Sequence, residues 1–458
     1  MSDLFIPDRF EAIKRKVRLE EIYKHFICEV KPAIKEIDDV YSDMCIAGRG
    51  SFLILYGKSG IGKTTFIYTL PIFKQNVEVV AIENDESIEL IIKQLDVTSA
   101  DLRIVMIEGR EAVKDSSIEE IEKSLHSINK FIRSDNGEKT LVVWLCNKEK
   151  MRDTLINLAK DIGGEALLGL GEGVLNFTGP SKKDFTMIAK NTIRTLNEGA
   201  TLLSLGITEE QSEKIIKDVE TIGRYLGELR QISKCNNKFI KKLVGNERCK
   251  MWVVVIAGND PRKDVASLTG GSYAIADLER MLVATDANIV EAIKEHPSAI
   301  GKLAAFFDCK ILYLPILTVM SVIRDFADDD LIAEMKKHAL MTTKGKKGLG
   351  NFRRSDLAKA ILGDPIGMGK QGAPVGPNSI SAFEKISSIA SNNDRLLNKT
   401  IAKALVKAEL IEEYELESDF GNGLTRRTDI LCETDEIPLR LELMWRKKLA
   451  NQKSQIIL

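Results

Sequence analysis

Apolar runs recur through the first half of the chain and alternate with segments of helical spacing. SFLILY (51–56), VEVVAI (77–82), LRIVMI (102–107) and LVVWLC (141–146) read as strands, and VLNF (174–177) is a further short candidate. Between the third and fourth runs, Ile118, Ile121, Leu125, Ile128 and Ile132 recur at helical spacing, and Ser116 with Glu119 predicts a capping box at the start of that helix. A helix is also expected over about 184–197, and 208–245 reads as all-helical. Strands separated by helices predict a parallel sheet covered by helices. Ahead of it, Val17, Ile22, Phe26, Val30 and Ile34 give residues 9–40 the spacing of a helical preface.

The second half is less regular. MWVVVIAG (251–258) opens a middle segment with helices expected near 276–294 and 298–307, and Asn259-Asp260-Pro261 after it reads as a turn. Residues 344–378 hold KGKKGLGNFRR and GDPIGMGKQGAPVGP, whose Gly and Pro density predicts a loop-rich basic linker and a domain boundary. A helical stretch over about 380–412 then leads to three strand candidates, EYELE, RTDILC and LRLELMW. The divisions read from this pattern are 1–45, 46–245, 246–343, 344–378 and 379–458.

Composition changes this picture little. The 458 residues carry 66 Lys and Arg against 67 Asp and Glu, so a nucleic-acid surface has to come from local patches rather than from net charge. Seven cysteines are scattered without a CxxC pair, and four histidines form no metal-type spacing, which fits neither a disulfide framework nor a zinc site. The start of the chain is charged and lacks a secretory apolar stretch. The longest apolar run, Ile311 to Ile323, is too short to span a bilayer and contains Pro315. A cytoplasmic protein without a membrane partner is the expectation.

Directly after SFLILY comes Gly57-Lys58-Ser59-Gly60-Ile61-Gly62-Lys63-Thr64-Thr65, a match to GxxxxGK[ST] in a strand, glycine loop and helix context. Glycines let backbone N–H groups close on phosphates, Lys63 brings a positive charge to the β and γ oxygens, and Thr64 can hold Mg²⁺. ATP with Mg²⁺ is the expected cofactor. The layout of residues 46–245 resembles an AAA+ ATPase with a helical lid. That resemblance implies a metal-linked acid after the third strand, where Glu108 stands. It also implies a catalytic glutamate next to that acid, where Gly109 stands instead and Glu111 is the substitute. The competing acidic group is Glu83-Asn84-Asp85-Glu86 at the end of the preceding strand. The resemblance further gives Asn147 the part of a polar sensor, and Gly227-Glu228-Leu229-Arg230 that of a lid signature with Arg230 over the phosphates. Arg152 is a candidate for a finger acting in a neighbouring subunit, which implies a homo-oligomer.

The last 80 residues, with Asp429 in RTDILC and Glu442 in LRLELMW, resemble the αβββ core of the PD-(D/E)xK nuclease superfamily. The resemblance implies that Asp429 and Glu442 bind Mg²⁺, with Glu417 as a third candidate ligand. The family's lysine position is occupied by Met444, and Arg446 is the nearest replacement on the same face. The fold class expected is therefore α/β: a P-loop NTPase parallel sheet with a helical lid, a middle α/β or helical segment, and a C-terminal nuclease-like αβββ domain. The function expected is an ATPase coupled to a nuclease-like domain on nucleic acid, DNA first, in a pairing that resembles prokaryotic defence or mobile-element proteins. The alternative is a nucleotide-controlled binding module whose inactive nuclease-like domain recognises nucleic acid or a partner protein.

Overall fold

The computed structural model describes residues 4–9, 12, 13, 15, 28–112, 117–169, 173–244, 249–284, 288–366, 375–419, 427–435, 437–448, 456 and 457. The chain is α/β and divides into two compact units. One comprises Ile6–Thr192 with Glu210–Arg230, and the other is built mainly from Ile193–Glu209 and Gln231–Leu458. Val17, Ile22 and Phe26 of the expected helical preface lie outside the described residues, as do 367–374 of the expected linker. Among the described residues no helix is long and apolar enough to cross a membrane.

The first unit holds a parallel sheet of β1 (Ser51–Tyr56), β2 (Val77–Ile82), β3 (Leu102–Ile107), β4 (Thr140–Cys146) and β5 (Val174–Asn176), ordered β2-β3-β4-β1-β5. Phe52, Ile54, Val105 and Trp144 pack on one side against the helices Ile88–Lys93, Ile118–Phe131 and Glu149–Gly163. Leu53, Leu55, Ile104 and Val143 pack on the other against Lys31–Ala47 and Lys63–Phe73. Burial on both faces is why the central strands β1 and β4 are almost wholly apolar, whereas the edge strand β2 carries the exposed Glu78. The helix Ile118–Phe131 has its capping box on Ser117 and Glu120, one residue beyond the expected pair, and Ser116 itself lies outside the described residues. The chain leaves β1 past β4 and β3 to reach β2 and later returns past β1 to β5, so a crevice opens at the C-terminal end of β1.

The second unit holds β6 (Lys250–Ala257), β7 (Thr269–Gly270), β8 (Ile275–Ala276), β9 (Lys310–Tyr313), β10 (Tyr414–Asp419), β11 (Arg427–Cys432) and β12 (Leu439–Arg446), ordered β10-β11-β12-β6-β9-β8-β7. The segments 246–343 and 379–458, read from sequence as separate pieces, therefore share one sheet. β12 runs parallel to β6 in an unbroken register from Leu439 opposite Lys250 to Arg446 opposite Ala257. Leu441, Leu443 and Trp445 from β12 join Trp252, Val254 and Ile256 from β6 in one core. Helices Ile316–Phe326, Pro377–Asn393 and Arg395–Lys407 contribute to that core as well. Neither strand set could bury that face alone.

The first half of the expected linker is not a linker. It forms the helices Gly348–Arg353 and Asp356–Leu362, and Phe352, Leu357, Ala358 and Ala360 are buried in the same core. Gly345 and Gly348 serve close packing: Gly348 N–H donates to the Asp325 carboxylate at 2.6 Å, and a Cβ on Gly348 would lie 2.6 Å from that carboxylate and from Ser321 O. The run Ile311 to Ile323 likewise divides into the end of β9 and a helix that begins after Pro315.

Asp328 ties two helices of this unit together. It caps Asp329–Lys337 by accepting from Leu331 N–H at 3.2 Å and pairs with Lys399 at 2.8 Å and Lys403 at 3.0 Å. Burial pushes its pKa up, but the hydrogen bonds from the two lysines outweigh that and hold it down at about 2. A folded pKa below the ordinary 3.8 means that the stabilisation is present above pH ~4 and is lost as pH falls towards 2. Asp328→Ala should cost about 1–2 kcal/mol in urea unfolding at pH 7. The difference from wild type should shrink as the pH is lowered from 4 towards 2.

Candidate functional site

The glycine loop occupies the crevice at the end of β1. Gly60 and Gly62 have φ of 77° and 104°, which favour glycine, and a Cβ on Gly57 would come within 2.6 Å of Phe177 O. Gly57 N–H donates to Cys146 O at 3.0 Å, anchoring the loop to the end of β4. Gly62 then caps the helix Lys63–Phe73, with Thr64 and Thr65 in its first turn. Loop and helix line a cleft of ≈ 1030 Å³ including its mouth, together with the apolar side chains of Phe177, Pro180, Ile188 and Leu226.

Lys63 is 5% exposed, and its ammonium donates to Gly57 O at 2.8 Å and Lys58 O at 3.3 Å. Burial lowers its pKa, and the nearby Glu111 carboxylate acts in the opposite sense. Glu111 lines the cleft and accepts from Asn147 Nδ2 at the end of β4. The other polar atom of that amide, Asn147 Oδ1, is buried without a hydrogen-bond partner among the described residues. Lys63, Glu111 and Asn147 therefore converge at one end of the sheet, although 84 residues of sequence separate the first from the last.

Glu108 lies elsewhere on the same edge. Tyr68 Oη donates to it at 3.5 Å, and Tyr68 lies one helical turn beyond Thr64 on the same helix face. Gly109, which interrupts the acidic pair expected by resemblance, has φ 77°, and a Cβ there would lie 2.6 Å from Asn84 Cβ. A glutamate cannot be accommodated at that position without moving the chain. The competing acids 83–86 follow β2, the edge strand, with β3 and β4 between it and β1. That is about 14 Å at ordinary strand spacing.

Residues of the N-terminal segment and of the helix Ile222–Val244 close the other side, and sequence reading missed the N-terminal contribution. Arg230 pairs with both oxygens of Asp8, at 2.8 and 3.0 Å, which holds the Asp8 carboxyl below its usual range. Arg9 donates to Ser59 Oγ at 3.3 Å. Gly223 N–H donates to Gly60 O at 2.9 Å, and a Cβ on Gly223 would lie 2.8 Å from that oxygen. No local motif marks Asp8, Arg9 or Gly223; their partners are remote in sequence. Lys58 pairs with Glu220 at 2.6 Å in solvent. Arg152 pairs with Asp153 and lies 4.8 Å from the centre of the Tyr56 ring.

In the second unit, helices 377–393 and 395–407 precede the antiparallel β10-β11-β12 meander. Ile430 opposite Leu441 fixes the register, so Asp429 and Glu442 fall on neighbouring strands and on the less buried face. Asp429 Oδ2 accepts from Leu443 N–H at 2.7 Å. Glu417, with φ 54°, lies 4.0 Å from Arg427, and Arg446 donates to Trp445 O at 3.0 Å. Met444 packs against the apolar cluster that contains Val255, Ala257 and Tyr313. An apolar neighbourhood therefore fills the position where the resemblance expects lysine. Among the described residues no three His, Cys, Asp or Glu side chains come together as a metal cluster.

No protein-family model matches the chain, and no curated protein matches it either.

Proposed function

We propose that the chain is a Mg²⁺-dependent ATPase of AAA+ type whose second unit engages nucleic acid, with DNA as the first candidate. The observation that carries the ATPase reading is the convergence of Lys63, Glu111 and Asn147 beside a strand, glycine loop and helix of GxxxxGKT sequence. In this reading the loop amides hold the phosphates and Lys63 swings from the loop carbonyls to the β/γ oxygens. Thr64 and Glu108 hold the metal ion and its water. Glu111, steered by Asn147, accepts a proton from the attacking water, and the buried Asn147 oxygen is left to orient that water. Arg230 opposes phosphate charge once the nucleotide competes with Asp8 for it. Assembly into a homo-oligomer, with Arg152 acting in a neighbouring subunit, belongs to the same reading.

The αβββ order and the adjacency of Asp429 and Glu442 support a nuclease-like second unit that binds Mg²⁺. The packing of Met444 favours the second reading, a nucleotide-switched binding module in which this domain recognises nucleic acid or a partner protein without cutting. Two carboxylates sharing one ion should bind Mn²⁺, and Asp429→Ala or Glu442→Ala should each weaken binding by about tenfold or more in calorimetry. Mn²⁺-dependent nicking of supercoiled DNA that is lost in Arg446→Ala would identify an active nuclease. Metal binding without nicking would identify the binding module. No carboxylate-dependent metal binding would remove the nuclease resemblance from the account.

A further inference from the structure

The second unit has a cleft that the nuclease-like reading does not use. It opens at the C-terminal ends of the parallel neighbours β6 and β9 and measures ≈ 1560 Å³ including its mouth. The carboxyl edge of parallel strands is where α/β sheets present ligand crevices, because the connecting loops leave room there and the helices that follow turn away.

Four polar side chains in this cleft have no hydrogen-bond or ion-pair partner among the described residues. Tyr313, the last residue of β9, is 9% exposed, and its hydroxyl makes no hydrogen bond among the described residues. The Asp356 carboxylate opposite also lacks a hydrogen-bond partner among them. Lys263 and Lys359 line the same space and form no ion pair among the described residues. Arg262 is held by Asp260 through contacts of 2.6–3.0 Å, and Arg354 is held by Asn351 at 3.0 Å. Val265, Leu312, Pro315 and Ile366 supply an apolar wall.

Each group specifies part of a ligand. Lys263, Lys359 and Arg354 place positive charge on one side of the cleft, which suits an anion with several oxygens such as a phosphate. Asp356 accepts only, so it requires a hydroxyl or N–H on the ligand. The apolar wall requires a flat or apolar portion, and Tyr313 donates a hydrogen bond beside it. Burial, with the Asp260 charge acting in the same direction, pushes the Tyr313 phenol up to about 12, so it stays a neutral donor. Burial also raises the Asp356 pKa, while Lys359 and Arg262 oppose that rise.

We infer that this cleft is a second ligand site, for a phosphorylated ribonucleoside. Its phosphate lies on Lys263, Lys359 and Arg354, its ribose hydroxyl donates to Asp356, and its base lies on the apolar wall beside Tyr313. The site belongs wholly to the second unit and does not depend on nucleotide binding at the glycine loop.

The test uses the full chain carrying Lys63→Ala, so that the glycine loop does not compete. AMP, GMP, CMP and UMP are titrated one at a time by calorimetry. At least one should bind with one-to-one stoichiometry, and Lys359→Gln and Tyr313→Phe should each weaken it by about fivefold or more. The 2′-deoxy form of that nucleotide should bind about tenfold more weakly, and the difference should vanish in Asp356→Ala, which removes the acceptor. Lys359→Gln alters only one side-chain end, and far-UV circular dichroism identical to that of the parent chain establishes that its fold is kept. The inference is overturned if none of the four nucleotides binds or if binding ignores both Lys359→Gln and Tyr313→Phe. It is also overturned if ribose 5-phosphate binds as tightly as the nucleotide. Single-stranded DNA binding that needs Lys359 while mononucleotides fail would replace the site with a nucleic-acid surface.

Discussion

Lys63→Ala should lose ATP binding by about a hundredfold or more while the circular dichroism spectrum stays that of the wild type. The loop's other cation, Lys58, is solvent-exposed and paired with Glu220, whereas Lys63 is buried at the head of the helix and hydrogen-bonded to the loop carbonyls. A charge-assisted contact to phosphate in such a site contributes about 2–3 kcal/mol, which is most of the predicted loss. Burial already lowers the Lys63 pKa, so an incoming phosphate gains a cation that water does not screen. A labelled-ATP titration reads the effect directly. Unchanged affinity in this variant would move the nucleotide elsewhere.

The second large effect is on turnover. Glu108→Gln and Glu111→Gln should each lower steady-state phosphate release by two or more orders of magnitude, with ATP binding largely retained. Each substitution keeps the shape and removes a charge. The two losses have different signatures. Glu108 lies by Tyr68 on the helix face that carries Thr64, so its loss should be partly relieved by raising Mg²⁺. Glu111 lies by Lys63 and Asn147, so its loss should not respond to metal. Asp85→Asn, in the turn after the edge strand, should be mild. A severe Asp85→Asn with a mild Glu108→Gln would move the metal-linked acid to the end of β2.

What the sequence made legible was local. β1, β3 and β4 are mostly apolar because helices cover both sheet faces, and the glycine loop is a contiguous motif whose strand and helix flank it directly. The pairing of β12 with β6 was not legible, because each strand alone satisfies an alternating or apolar pattern and nothing local states which partner completes the sheet. The same physical reason hid the ion pair of Asp8 with Arg230. Gly345 and Gly348 misled in another way. Glycine marks both loops and close approach, and here Asp325 takes the space that side chains would need. Gly109 stands where the resemblance expects a glutamate: its backbone is left-handed, a Cβ there would lie 2.6 Å from Asn84 Cβ, and Glu111, two residues on, is a carboxylate whose charge acts on Lys63.

The claim that joins the two units is that ATP turnover in the first serves nucleic-acid engagement by the second. Phosphate release by the full chain, measured with Mg²⁺ in the presence and absence of DNA, tests it in one assay. Mg²⁺-dependent release that DNA accelerates severalfold and that Lys63→Ala abolishes in both conditions is the expected result. Release that is absent in both conditions, or that DNA leaves unchanged, would contradict it.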